Sequence, residues 1–277
     1  MQDSAASISA VDRATRFLEL HRPGQPLLLP NPWDRGSARV LASLGFDALA
    51  TTSAGFAGTL GRTDGNVTRD EAVSHARDIA LATPLPVSAD LENGFARAPE
   101  AVAETIRRAA EAGLSGCSIE DYAPAPEAAL YDATLAVERI AAAAEVSRRA
   151  ETRIILTARA ENHLRGRNDL DDTIARLLAF ERAGADVVYA PGLHDADEIR
   201  QVVEALGAPL NVLLLPGGPT VPKLAQLGVA RISVGSAFHS VTLAALKSAA
   251  LELKQEGTHG FWTQALEGGL VARDAFQ

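Results

Sequence analysis

One cysteine, Cys117, stands in the 277-residue chain, which excludes an intramolecular disulfide and any cysteine-rich zinc site. Aromatic residues make up only 5% of the sequence, so alanine, leucine and valine must fill a core drawn from its 47% hydrophobic residues. Basic residues are in deficit: 26 Lys and Arg against 35 Asp and Glu leave a net charge of −9. No Lys/Arg cluster forms a phosphate-tracking stripe, which argues against nucleic acid as a main partner. A few local arginines would still suffice for a small anion. No apolar stretch approaches the ~20 residues of a membrane span, and Met1-Gln2-Asp3-Ser4 does not open a basic segment followed by an apolar run. These absences predict a soluble, cytoplasmic protein with no membrane partner. A G-x-G-x-x-G turn is missing after the first apolar run, where Pro30-Asn31-Pro32 stands instead, and there is no Walker-type loop.

Short β-type runs recur at roughly regular intervals: Leu27–Pro30, Ala48–Thr52, Pro86–Asp90, Gly116–Glu120, Ile154–Ala158, Asp186–Ala190, Leu210–Leu214 and Arg231–Val234. Most are continuously apolar, as parallel strands buried on both faces are. Helical stretches separate them, at Asp34–Leu44, Arg69–Ala82, Pro99–Ala112, Ala133–Ala150, Leu170–Ala183 and Ala196–Leu206. Thr68 is the expected N-cap of the second, with Glu71 in its first turn. Three of the helices close on glycine, at Gly113, Gly184 and Gly207. Eight strands alternating with helices predict an α/β protein with a closed (β/α)8 TIM-type barrel. A doubly wound open sheet is the alternative, and it usually carries fewer strands. The expected organisation is one domain over 1–277, with the barrel at about 25–240 and a C-terminal helical extension at about 241–277. The longest interruptions, Ala54–Val67 and Tyr122–Asp132, follow strands and so belong to the face where barrel active sites lie.

On that face two of the runs end in carboxylates: Asp90 with Glu92, and Glu120. Asp90 and Glu92 are two apart, which on a strand places them on one face. Mg²⁺ prefers oxygen ligands and keeps several waters, so a few carboxylates plus a chelating substrate suit it. Capping a helix or pairing with arginine is the plainer role for any one of these acids.

The sequence resembles the isocitrate lyase / phosphoenolpyruvate mutase superfamily from about Leu28 to His239. The resemblance rests on Pro30-Asn31-Pro32-Trp33-Asp34 with Ser37-Ala38-Arg39, on Thr52-Ser53-Ala54-Gly55, and on Leu60-Gly61-Arg62-Thr63-Asp64-Gly65. It continues through Ala89-Asp90-Leu91-Glu92-Asn93-Gly94-Phe95, Ser118-Ile119-Glu120-Asp121 and Thr157-Ala158-Arg159-Ala160-Glu161. It implies an α/β barrel, often a tetramer with its C-terminal helix exchanged between subunits. It also implies Mg²⁺, with Mn²⁺ as a substitute, and a substrate that is a 2-oxo or 2-hydroxy acid. By motif position Asp90 is the expected metal ligand, with Glu92, Glu120 and Asp64 holding the water shell. Glu92 stands where Asp is commoner, and its extra methylene moves the carboxylate. Ser53, Ala54 and Gly55 are expected to donate to a substrate carboxylate, Arg159 to bind one bidentately, and Asn211 to contact the distal one. For Arg159 the plainer role is a buried pairing with Glu161.

The largest departure follows Glu120-Asp121. Lyases of the superfamily that cleave isocitrate or methylisocitrate carry a Lys-Lys/Arg-Cys-Gly-His loop there. This chain has Tyr122-Ala123-Pro124-Ala125-Pro126-Glu127-Ala128-Ala129-Leu130-Tyr131, which also lacks the basic and amide residues of the phosphonate-forming mutases. Cys117 reads as a small buried strand residue, and Tyr122 or Tyr131 is the available proton donor. His163 follows the fifth strand; His194 and His239 have no metal-ligand spacing. The expected function is a Mg²⁺-dependent C–C lyase or decarboxylase acting on a small di- or tricarboxylate through an enolate, with Arg159, Asp64, Glu120 and Tyr122 as its catalytic set. A P–C bond mutase or hydrolase, and a 2-oxo acid binding protein with impaired catalysis, are the alternatives. A homo-oligomer, dimer or tetramer, is expected from the long C-terminal segment.

Overall fold

The computed structural model describes residues 10–277. The Met1–Ser4 stretch read for a secretion signal lies outside the described residues. Eight parallel strands form one sheet: β1 Leu27–Leu29, β2 Leu49–Ala50, β3 Val87–Asp90, β4 Gly116–Glu120, β5 Ile155–Arg159, β6 Val187–Tyr189, β7 Leu210–Leu213 and β8 Arg231–Ser233. Their spatial order is β1-β8-β7-β6-β5-β4-β3-β2, and Ala50 N–H donates to the Pro30 carbonyl at 3.1 Å across the remaining seam. The result is a nearly closed (β/α)8 TIM-type barrel. Each predicted strand is present within two residues of its expected bounds, because the runs combine β-branched or apolar residues with breakers on either side.

Within each strand the two faces differ. Val87, Ala89, Cys117, Ile119, Leu156, Ala158, Val188, Leu210, Val212 and Ile232 face the helices and join the main core. Leu27, Leu29, Ala48, Ala50, Ile155 and Val187 form a smaller apolar layer with Phe17. Phe17 comes from a helix at Ala10–Glu19, and a side-chain carbon at Gly116 would stand 2.7 Å from its ring. That helix, which the sequence reading lacks, therefore covers the N-terminal end of the barrel.

The connecting helices run at Arg35–Ser43, Arg69–Ala82, Pro99–Glu111, Ala133–Arg149, Leu170–Ala183 and Ala196–Ala205. Thr68 is the N-cap expected, and it forms a reciprocal capping box with Glu71. Ala54–Val67, read as an interruption, opens instead with a seven-residue helix, Ser53–Thr59. The segment after β4 carries a short antiparallel hairpin, Tyr122–Ala123 against Ala129–Leu130. Beyond β8 a helix at Ala237–Leu251 widens into a π-helical turn at Glu252–Glu256, and a last helix spans Trp262–Ala275. No described helix is long and apolar enough to cross a membrane.

Candidate active site

Strand register explains which side chains meet inside the barrel. Glu120 pairs with Arg159, Arg159 with Tyr189, Tyr189 with Asn211, and Asn211 with Arg231. Register partners share a face, so all five side chains belong to the inner face. The path starts at the C-terminal residues of β4, β5 and β6 and ends at the first residue of β8. Stagger thus carries one row of polar residues from the rim of the barrel toward its floor.

The rim is acidic. Arg159 lies at its centre, with Nη1 3.0 Å from Asp90 Oδ1, Nη2 3.2 Å from Glu120 Oε2 and 2.7 Å from Glu161 Oε1. Burial works against its charge, but Glu161, Glu120 and Asp90 outweigh burial and raise the guanidinium pKa. Arg165 adds a second cation, 3.2 Å from Glu161 and 3.7 Å from Glu120, and lies over the Tyr122 ring. Glu120 is pushed well up by burial, with Glu161 and Asp90 pushing the same way against the pull of Arg159.

Glu92 is brought to Asp90 by a turn rather than by strand alternation. The strand ends at Asp90, and Glu92 adopts φ 48°, in the left-handed region that non-glycine residues rarely occupy. Its Oε1 is buried without a hydrogen-bond partner. Burial, then the charges of Asp90 and Asp64, raise its carboxyl to about 8. Asp64 lies on an exposed loop, yet desolvation of its carboxyl end and the charge of Asp90 raise its pKa, against a hydrogen bond from Ser53. Asp64, Glu92, Glu120, Tyr122, Arg159 and Arg165 all line one cavity of about 310 Å³ at the rim.

Five carboxylates against two guanidiniums leave this rim short of positive charge, and the buried, unpartnered Glu92 oxygen suits a cation site. Among the described residues no three His, Cys, Asp or Glu side chains converge as a direct ligand cage. The donor set therefore fits a hard divalent cation that keeps most of its own waters, as Mg²⁺ does.

The other expected residues are largely engaged within the protein. Ser53 N–H donates to Asp90 Oδ2 at 3.2 Å, and Gly55 N–H donates to Thr52 Oγ1 at 3.2 Å in the cap of the Ser53–Thr59 helix. A side-chain carbon at Gly55 would stand 2.6 Å from Thr52 Cγ2, so glycine is required there for packing. Ser53 and Ala54 line the inner cavity beside Asp64 and Asp90. Asn211 lies deeper, donating to Ser233 Oγ at 3.1 Å and accepting from Arg231 Nε at 2.9 Å. Tyr131 is buried, its hydroxyl accepting from Asn93 at 2.8 Å. Cys117 is fully buried and burial raises its thiol pKa, which leaves it unreactive.

Below the rim a second cavity of about 240 Å³ runs down the barrel, lined from Asp64, Asp90 and Arg159 to Tyr189, Asn211, Arg231 and Ser233. A larger cleft of about 490 Å³ lies beside the hairpin, between Gly65–Arg69 and Ala123–Glu127. It shares Glu92 with the rim but lacks the converging charges, so the chemistry belongs to the barrel. Tyr189 and Arg231 escaped the sequence reading. An arginine two residues before Ser233 in an otherwise apolar run, Val229-Ala230-Arg231-Ile232-Ser233-Val234, was the available signal.

A parallel barrel with a polar, acid-rimmed cavity at the C-terminal ends of its strands defines a small-molecule enzyme architecture. The profile of the phosphoenolpyruvate phosphomutase family matches residues 17–254, and the chain belongs to that family, within the isocitrate lyase / PEP mutase superfamily. A solved structure of a putative lyase/mutase from Burkholderia cenocepacia J2315 superposes with a TM-score of 0.90. It is 51% identical, with 95% of each chain covered. An uncharacterized protein of Mycobacterium tuberculosis (strain ATCC 25618 / H37Rv) is 35% identical over 84% of this chain and 87% of its own. Oxaloacetate decarboxylase 2 of Pseudomonas fluorescens (strain Pf0-1) is 30% identical over 82% of this chain and 79% of its own.

Proposed function

We propose that the protein is a divalent-metal-dependent lyase that breaks a C–C bond in a small 2-oxo or 2-hydroxy dicarboxylate, with oxaloacetate decarboxylation as its reaction. The observation that carries this reading is the excess of carboxylates at the rim, ending in the unpartnered Glu92 oxygen. Asp90 is the residue to hold the cation, with Glu92, Glu120 and Asp64 holding its waters. When bound, Mg²⁺ supplies Lewis-acid stabilisation of the enolate left by bond cleavage.

The chain's own residues do the rest. Arg159 holds Asp90 and Glu120 in fixed positions, so the carboxylates need no reorganisation during the reaction. Ser53 and Ala54, at the mouth of the inner cavity, orient the substrate carboxylate beside the carbonyl. The bond between the distal carboxylate and the adjacent carbon breaks, its electron pair passes toward the carbonyl, and CO₂ leaves. The enolate carbon then takes a proton from water or from Tyr122, which lines the rim cavity under Arg165. Decarboxylation suits this chain because no thiol stands in the loop after Glu120, and Cys117 is sealed in the core.

Oxaloacetate, methylisocitrate, isocitrate and phosphonopyruvate, each assayed with Mg²⁺ and with EDTA, test the reading. The expected result is pyruvate release from oxaloacetate, well above the rate of Mg²⁺ alone and abolished by EDTA. Phosphate release from phosphonopyruvate would instead establish P–C bond chemistry, and saturable binding without turnover would establish a binding protein.

A further inference from the structure

Arg231 is a buried cation with no acid beside it among the described residues. Its Nε donates to Asn211 Oδ1 at 2.9 Å, and its Nη1 donates to Thr157 Oγ1 at 3.0 Å and approaches His21 Nε2 at 3.4 Å. All three partners are neutral. His21 donates from Nδ1 to the Phe17 carbonyl at 2.8 Å, so its Nε2 is the acceptor. Burial, then Arg231 itself, lower the His21 pKa to about 3. Among the described residues no hydrogen bond engages Nη2 of Arg231, and the residue lines the inner cavity. A guanidinium taken from water without an opposing charge is costly to a fold, and no acid among the described residues offsets it. Burial lowers its pKa to about 10, which still leaves it protonated at neutral pH.

Arg159, the expected carboxylate binder, differs in this respect. Its fork is filled by Asp90, Glu120 and Glu161. The cavity joining the two arginines therefore has an acid excess at its upper end and an uncompensated cation at its lower end. Its volume of about 240 Å³ is below the ~300–1,000 Å³ typical of sites for drug-sized ligands, so it suits a short acid.

We propose that Arg231 forms the floor of the substrate site and binds the distal carboxylate of a dicarboxylate whose 2-oxo or 2-hydroxy end lies at the acidic rim. Asn211 and Thr157 hold its guanidinium in place, leaving Nη2 to face the ligand. Arg231 is thereby a specificity-determining residue: it selects substrates with a second negative charge and disfavours those with a neutral or apolar tail. This assignment rests on the lyase reading for the location of the other end of the ligand.

Calorimetric binding of malate and of its 4-amide tests it, since the two share a 2-hydroxy acid end and differ only in distal charge. In the wild-type protein the amide should bind at least tenfold more weakly than malate. In Arg231→Met that preference should fall to within twofold, and in Arg231→Lys it should shrink but persist, because an ammonium keeps the charge without the fork. Equal binding of the two ligands to the wild type, no binding of either, or an undiminished preference in Arg231→Met would overturn the proposal. If circular dichroism shows that Arg231→Met fails to fold, Arg231→Lys decides alone, and an unchanged preference there overturns it. Each titration is run with Mg²⁺ and with EDTA. Failure of the metal reading shows as affinities that ignore the metal, whereas discrimination by charge is read in either buffer.

Discussion

Arg159 and Arg231 lie on the same inner face of the barrel, three register steps apart through Tyr189 and Asn211, and their surroundings give them opposite tasks. Arg159 is outnumbered by carboxylates and organises them; Arg231 is left with a charge to offer. Replacing Asp90 by alanine should lower metal-dependent turnover by at least the ~10²-fold that loss of one preorganised electrostatic group costs. The far-ultraviolet circular dichroism should be unchanged, since Arg159 keeps Glu120 and Glu161. Full activity in that variant would remove Asp90 from the metal site. His21 carries a separate consequence for pH. Unfolded, it takes up a proton as pH falls through about 6.5; folded, it stays neutral until about 3. Acidification from pH 6.5 to 5 therefore favours the unfolded chain, with stability lost at up to ~1.4 kcal/mol per pH unit from this residue. Asp121, raised to about 6 chiefly by burial, acts in the opposite sense. The difference between wild type and His21→Gln in urea unfolding isolates the histidine. The variant should lose less stability over that window, and parallel curves would contradict the neutral assignment.

Elements were legible where their own residues decide them. The helix Leu170–Ala183 begins at Asp169, whose Oδ1 accepts from Asp172 N–H at 3.0 Å, and ends at Gly184 with φ 108°. A side-chain carbon at Gly184 would collide with the Arg148 guanidinium and stand 3.1 Å from Ala144 Cβ. Gly184→Ala should thus destabilise the protein by more than ~1 kcal/mol, combining a disfavoured φ with a clash. A chemical denaturation midpoint equal to that of the wild type would refute this. The Ser53–Thr59 helix was not legible, because Gly55 and Gly58 lower its propensity. Gly58 answers to a distant neighbour instead: a side-chain carbon there would stand 2.5 Å from His239 Cε1. Glu92 is a similar case. Its spacing from Asp90 suggested a shared strand face, whereas a left-handed backbone turn brings the two carboxylates together.

At the scale of the whole molecule, the segment after β8 leaves a large apolar surface uncovered. Val241, Leu246, Trp262 and Leu266 are each more than half exposed, and the last helix touches the chain again mainly at Arg35–Ser43, where Arg39 donates to the Phe276 carbonyl at 3.3 Å. A patch of this kind marks an association surface. We expect a homo-oligomer, dimer or tetramer, formed through this segment. Sedimentation should give a mass at least twice 29.0 kDa, and a Val241→Glu/Leu246→Glu double variant should shift it to the monomer. A monomeric wild-type protein would discard the exchange of C-terminal helices between subunits.

The amino-acid sequence by itself determined the order of strands and helices, because hydrophobic periodicity, caps and breakers act over a few residues and are readable locally. It also carried the residue types of the rim, since Asp90, Glu92 and Glu120 end or follow their strands. Only the tertiary structure decided which charges are spent and which remain available. Register and stagger place Arg159 among three carboxylates and Arg231 among none, and no spacing along the chain encodes that difference.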